Sequence, residues 1–297
     1  MLSRFAIYFD EVARRGSIRR ASEFLNVASS AVDRQILKME AELDVPLFER
    51  RPHGLRLTAA GEVLVGLVRR WRRELAIAQA QIDELRGMRR GEVTLALAEG
   101  SAELVSRVLL SFRNRYPGII FHLRIAPSQA IVDLVLSSEV DVGVTYNPPD
   151  RQDLRVERAI VSQIGAVLAP DHPLAGESEV TLAQCADYPL VGPDEGHSLR
   201  AVIDKAWSTN VDGMPRFSAS ANSVELIKAL VIGRIGIGLL TPLDIVSEVE
   251  RRVLKFVPLT GSGIPLSVLS IISASGRQLS PPAALMLRHF ADGSIDN

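Results

Sequence analysis

The chain has 297 residues, 47% of them hydrophobic, and its single cysteine, Cys185, excludes an intramolecular disulfide. That length exceeds one core of ordinary size and calls for two domains. No apolar run approaches the roughly 18 residues of a membrane span, and no signal core follows Met1-Leu2-Ser3-Arg4-Phe5, so a soluble, cytoplasmic chain without membrane partners is expected.

The net charge of −1 conceals a split. Residues 1–90 hold 17 Lys and Arg against 12 Asp and Glu, whereas residues 91–297 hold 17 against 23. A basic end joined to an acidic body suits a polyanion partner for one end only.

In chain order, Leu2, Phe5, Phe9 and Val12 recur at steps of three and four, the stripe of a short helix that Gly16 ends. Ser17 is placed to cap a second helix running to about Asn26. After the short turn Val27-Ala28, Ser29 or Ser30 is placed to cap a third helix with the apolar set Val32, Ile36, Met39 and Leu43. Its other side carries Ser30, Asp33, Arg34, Leu37 and Lys38. Small polar and basic residues opposite a packed face suit base edges and phosphates in a DNA major groove. The rival reading is a solvated helix face; the preceding helix and tight turn favour DNA. Phe48 through Leu57 reads as a hairpin, with Gly54 free to take a positive φ. Arg50, Arg51 and Arg56 make it a basic wing for phosphates or a minor groove. The DNA-binding candidates are therefore Ser29, Ser30, Asp33, Arg34, Lys38, Arg50, Arg51 and Arg56.

These sixty residues resemble the LysR-type transcriptional regulators. The resemblance rests on Gly16-Ser17-Ile18 with Ala21 and Leu25, Ala31-Val32, Arg34-Gln35-Ile36, Glu40, Leu43, Pro46-Leu47-Phe48-Glu49-Arg50, and Leu57-Thr58-Ala59-Ala60-Gly61-Glu62. Asp33 departs from the family, which often has serine or another small polar residue there. A carboxylate is repelled by phosphates yet can accept a hydrogen bond from a cytosine amino group.

Thr58 is a natural N-cap for a helix over residues 59–86, a rod of about 42 Å. Leu64, Val68, Trp71, Leu75, Ala78, Ile82 and Leu85 step alternately by four and three, a heptad seam suited to dimerisation. Arg69, Arg70, Arg72 and Arg73 either solvate the rod or add phosphate contacts. The resemblance implies assembly as a homodimer or homotetramer, an interrupted palindromic operator, and RNA polymerase as a further partner.

Gly87-Met88-Arg89-Arg90-Gly91 marks a boundary. Beyond it strand and helix patterns alternate, which predicts βα units and a mainly parallel sheet with ligands at strand C-terminal ends. Strands are expected at 92–98, 119–125, 141–146, 163–168, 189–191, 216–220, 235–240, 253–257 and 266–273. Helices are expected at 102–115, 129–137, 198–208, from Val224, and at 281–290. The pieces suit two lobes, with crossings near 161–165 and 262–266. The resemblance implies the same, through Tyr116-Pro117, Asp141-Val142-Gly143, Asp171 through Ala175 and Gly233 through Gly238.

The expected fold class is α/β: an N-terminal all-α winged helix-turn-helix, a long linker helix, and a C-terminal two-lobed α/β domain like periplasmic binding proteins. The winged domain takes residues 1–58, with the helix-turn-helix at about 18–37, and the linker takes 59–88. The regulatory domain takes 91–297, lobe I about 91–161 and 266–297, lobe II about 162–265. The effector-binding candidates are Gly100, Ser101, Thr145, Asn147, Ile164, Gly165, Pro193, Asn222 and Ser223. Ser101 and Ser223 also read as plain N-caps. Glu99, Glu103, Asp194 and Glu195 lie close to these loops and disfavour an anion, so a neutral or amine-bearing effector is expected.

The five histidines are dispersed without metal-ligand spacing, and Cys185 reads as a small buried hydrophobe. Gly233 through Gly238 lacks the ending of a phosphate loop and leads into a strand. No enzyme, metal or cofactor is expected. The function expected is a sequence-specific DNA-binding transcriptional regulator controlled by a small-molecule effector in the interlobe cleft. Its rival is a cytoplasmic small-molecule-binding protein that uses its N-terminal helices only for oligomerisation; the basic wing counts against that.

Overall fold

A computed structural model describes residues 4–52, 54–85, 90–195 and 197–291. Leu2, His53 and the 86–89 boundary lie outside the described residues, as does the side chain of Leu85. The chain forms two compact units.

The first unit carries helices α1 (Arg4–Arg15), α2 (Ile18–Leu25) and α3 (Ser29–Leu43), a hairpin of β1 (Phe48–Arg51) and β2 (Gly54–Leu57), and helix α4 (Ala59–Leu85). The apolar stripe of α1 serves two cores. Phe5 and Phe9 pack with Leu47, Val65 and Val68, while Val12 packs with Ala21, Val32 and Ile36. Phe48 joins both, its ring 5.3 Å from that of Phe9. Gly16, at φ 64°, turns the chain between α1 and α2 and accepts a 2.7 Å hydrogen bond from the Leu55 N–H. A Cβ on Gly54 would stand 2.5 Å from the same Gly16 carbonyl, so the wing docks on the turn only because both residues lack side chains. Glu40 of α3 accepts hydrogen bonds from the Leu47 and Phe48 N–H groups at 2.7 and 3.2 Å, which fixes where the wing begins.

The second unit begins with β3 (Gly91–Leu97), α5 (Ala102–Arg115), β4 (Ile119–Ile125), α6 (Ser128–Leu136), β5 (Val142–Tyr146) and β6 (Leu154–Gln163). It continues with β7 (Gly165–Leu168), β8 (Val180–Thr181), α7 (Leu182–Ala186), β9 (Leu190–Pro193), α8 (Ser198–Asn210), β10 (Phe217–Ala221), α9 (Val224–Ile232), β11 (Ile237–Leu240), α10 (Val246–Glu250) and β12 (Lys255–Thr260). β13 (Leu266–Ala274) and α11 (Pro281–Ala291) end it. One sheet has the order β4-β3-β5-β13-β6, the other β10-β9-β11-β7-β12-β8, each with its own apolar core.

Both sheets are mixed rather than mainly parallel. β13 runs antiparallel to β5 and β6, and β7 antiparallel to β11 and β12. The chain passes from the first sheet to the second at Ile164 and returns through Gly261–Pro265, so these return strands bring the antiparallel pairs. Strand β6 escapes the sequence reading because it lies at a sheet edge, where exposed Val156 and Val161 stand among charged residues and no clean apolar alternation marks it.

Several motifs have local causes. The Asp141 carboxylate accepts from the Thr94 N–H and hydroxyl at 2.8 and 2.7 Å, and a Cβ on Gly143 would meet Ile272, Ile131 and Val135 within 2.9 Å. Nδ1 of His172 accepts from the Leu174 N–H, capping a 3-10 turn rather than serving as a metal ligand. Gly236 passes so close to β9 that a Cβ would lie 2.3 Å from the Pro189 carbonyl, which accounts for this glycine as a packing residue. Cys185 is buried, and burial pushes its thiol up to about 12. Among the described residues no group of three or more His, Cys, Asp or Glu is arranged to hold a metal ion, and no helix is long and apolar enough to cross a membrane.

Candidate functional site

The helix-turn-helix is built by capping. Ser17 Oγ accepts from the Arg20 N–H at the start of α2, and Asn26, at φ 53°, closes the other end with its N–H on the Glu23 and Ser22 carbonyls. Neither Ser29 nor Ser30 caps α3, contrary to expectation: the N-cap is Ala28, and it supplies no side-chain hydrogen bond. Ser29 instead stands in the first turn, its Oγ 2.6 Å from that of Ser22, which pins α3 to α2.

Val32 and Ile36 are buried and Met39 is half-buried, but Leu43 is exposed, so the packed stripe of α3 is shorter than its apolar pattern. On the far side Ser30, Arg34, Leu37 and Lys38 are exposed and Asp33 is half-buried. Arg34 makes no ion pair among the described residues, while Lys38 stands 3.7 Å from Glu42. In the wing Arg50 lies opposite Leu55 and Arg56 opposite Glu49. Arg50, Arg51 and Arg56 are exposed, and Arg51 pairs with Glu49 at 3.1 Å.

Helix α4 divides the heptad seam. Leu64 and Val68 belong to the core of their own unit. Trp71, Ala78 and Ile82 are exposed and Leu75 is half-buried, so the uncovered apolar face starts at Trp71. Three of the four clustered arginines are structural: Arg69 and Arg72 both bind the buried carboxylate of Asp10, as does Arg14 at 3.4 Å, and Arg73 donates to the Ser138 carbonyl at 3.0 Å. Arg70 is exposed.

The second unit contains a cleft of about 250 Å³ lined from both sheets. One wall comes from the turn after β3 (Glu99, Gly100), the loop after β4 (Ala126, Pro127, Ser128) and Tyr146. Facing it are Asp194, His197, Asn222, Val224, Thr241 and Asp244. Of the nine expected effector residues, Gly100 and Asn222 line it, and Ser223 sits at its edge, bonded to Glu99.

The other six are placed elsewhere. Ser101 holds the N-cap position of α5, but its buried hydroxyl donates to the Ala98 carbonyl, so it makes no side-chain cap bond and does not line the cleft. Thr145 donates to the Ser128 carbonyl at 3.3 Å, and Asn147 accepts from the Val268 N–H at 2.9 Å. Ile164 is core, Gly165 lies under the Phe256 ring, and the Pro193 carbonyl accepts from Arg200. Of the acidic neighbours noted in the sequence, Glu99 and Asp194 line the cleft, while Glu103 instead reaches Ser247. Sequence reading missed Tyr146, His197, Thr241 and Asp244. They come from three separate segments, and only the capping pattern Thr241–Asp244 carried a local signal.

Three hydrogen bonds cross the cleft. Glu99 Oε1 accepts from the Ser223 hydroxyl at 2.7 Å and Oε2 from the Val224 N–H at 3.0 Å. The Tyr146 hydroxyl donates to Asp244 Oδ1 at 3.3 Å, while Thr241 donates its N–H and hydroxyl to Oδ2, both at 2.8 Å. Burial raises the Asp244 carboxyl to about 6, and burial also holds His197 below its usual range.

The family model for the "LysR substrate binding domain" matches residues 86–294, and that for the "Bacterial regulatory helix-turn-helix protein, lysR family" matches residues 4–62. The chain belongs to the LysR family. It is a DNA-binding transcriptional regulator with an effector-binding domain, not an enzyme. Among its LysR-family relatives, the transcriptional dual regulator GltC of Bacillus subtilis is 30% identical over 93% of this chain and 92% of its own. The RuBisCO operon transcriptional regulator of Allochromatium vinosum is 28% identical over 93% and 90%. In fold, the chain is similar to full-length OxyR from Pseudomonas aeruginosa, with a TM-score of 0.71 at 19% identity, covering 99% of this chain and 95% of that one. CbnR, a LysR family transcriptional regulator, gives 0.68 at 18% identity, covering 99% of each.

Proposed function

We propose that this LysR-family regulator reads DNA with the exposed face of α3 and clamps it with the wing. Ser29 and Ser30 pack against the backbone at the start of α3. Arg34 and Lys38 supply phosphate or base contacts, and Arg50, Arg51 and Arg56 add phosphates beside the groove. Asp33, half-buried on the same helix, is the position at which base preference differs from a serine-bearing relative. The observation that carries the reading is the exposed, unpaired Arg34 on a helix whose opposite face is locked by Val32 and Ile36.

Two copies join through the exposed part of the α4 seam, Trp71, Leu75, Ala78 and Ile82, with Leu64 and Val68 anchoring the rod to its own head. The dimer, or a tetramer built from two, spans an interrupted palindrome. The winged domain is residues 1–58, the linker 59–88 and the regulatory domain 91–297. The protein works in the cytoplasm, with RNA polymerase as a further partner at the promoter. A small molecule in the 250 Å³ cleft controls the output. A gel shift on the chain's own upstream DNA, repeated over a range of salt, tests the reading. Sequence-selective retention with a steep salt slope is expected, and a flat slope without preference overturns it.

A further inference from the structure

The cleft already holds a carboxylate of its own. Glu99 reaches over it to the start of the nine-residue helix α9, where Ser223 Oγ and the Val224 N–H both donate to it. Those donors, at the positive end of the helix dipole, are the natural seat for a ligand's carboxylate. Here the seat is filled from within the chain. The rest of the lining agrees in sign: Asp194 and the buried Asp244 contribute two more carboxyls, and no Lys or Arg stands among the described residues that line the cleft. The His197 Nδ1 accepts from the Leu199 N–H, so the ring is neutral with its proton on Nε2 and adds no positive charge to the cleft.

We infer that Glu99 is a built-in anion that sets the charge of the effector: the cleft refuses free carboxylates and takes a compact molecule bearing a protonated amine. This rests on the cleft being the effector site. The size fits a compact occupant, since 250 Å³ lies below the roughly 300–1,000 Å³ of drug-sized pockets. Glu99 is not alone in tying the two sides together. Four and eight residues further on, Glu103 accepts from the Ser247 N–H at 3.3 Å, and Arg107 binds Glu250 at 3.0 Å. Substitution at Glu99 therefore leaves the lobes tethered.

The test titrates the full chain, by calorimetry and thermal shift, with a chain-length series of straight-chain primary amines and diamines, including 1,4-diaminobutane, and with the matching mono- and dicarboxylates, including succinate. The wild type is expected to bind members of the amine series and none of the carboxylates. Glu99→Gln, which keeps an oxygen acceptor for α9 but loses the charge, is expected to weaken the amine by about tenfold or more. Glu99→Ser frees the Ser223 and Val224 donors and is expected to gain carboxylate binding. Carboxylate binding by the wild type, silence across the whole amine series, or no gain in Glu99→Ser each overturns the inference. Retention of operator DNA by the wild-type chain, measured alongside, reports separately on the regulator reading.

Discussion

The buried carboxylate of Asp10 on α1 receives the Arg69 guanidinium of α4 at 3.0 Å, with Arg72 on its second oxygen. Both arginines lie on α4, whose exposed seam begins at Trp71. The DNA-reading head is thus tied to the rod by an ion cluster as well as by Val65 and Val68.

Asp10→Ala is expected to cost about 1–3 kcal/mol, because Arg72 loses its buried partner while Arg69 keeps its 2.7 Å pair with Glu139. Chemical denaturation of the N-terminal unit checks this. Loss near zero would mean that the arginines re-pair in solvent.

Arg34→Ala is expected to weaken operator binding while leaving assembly intact. If Arg34 contacts a phosphate, the salt slope falls by about one and all sequences weaken alike; if it reads a base, discrimination drops by about 1–3 kcal/mol at one position. Gel shifts on point-substituted operators separate the two, and loss of the oligomer instead would make Arg34 structural.

Trp71→Ala should do the reverse. An aromatic anchor at the centre of an interface is commonly worth about 2–4 kcal/mol. Sedimentation equilibrium is expected to show weakened self-association, with the helical content of the head unchanged. An unaltered association constant would move the interface off this seam.

Asp244 makes stability depend on pH in an unusual direction. Burial raises its folded pKa from 3.8 to about 6, so the folded state favours the protonated form. Its stabilising contribution is complete below pH 3.8 and is lost as pH rises through about 6. The loss is about 3 kcal/mol from this one group. Comparing denaturation midpoints of wild type and Asp244→Asn across that window is expected to show a shallower decline for the variant. Parallel curves would mean that the carboxyl is ionised throughout.

Much of the chain was legible because its signals are local. The spacing of Phe5, Phe9 and Val12, the cap at Ser17, and the Leu55–Gly54 wing repeat within a few residues what the backbone needs. The same holds for the βα alternation after residue 90. Local spacing cannot reveal how far a side chain reaches. Asp10 meets Arg69 across 59 positions and Glu99 meets Ser223 across 124, so neither pairing leaves a periodic trace.

The charge of the cleft was foreshadowed by Glu99 and Asp194, but its walls were not. By itself the sequence determined the two-part plan, the family and the basic reading head, since periodicity, capping and composition act over short stretches. Only the tertiary structure decided that Ser101 turns inward, that Arg69 and Arg72 serve Asp10, and that Glu99 fills the seat on α9. Each depends on which distant donor or acceptor is nearest once the backbone polar groups have been satisfied.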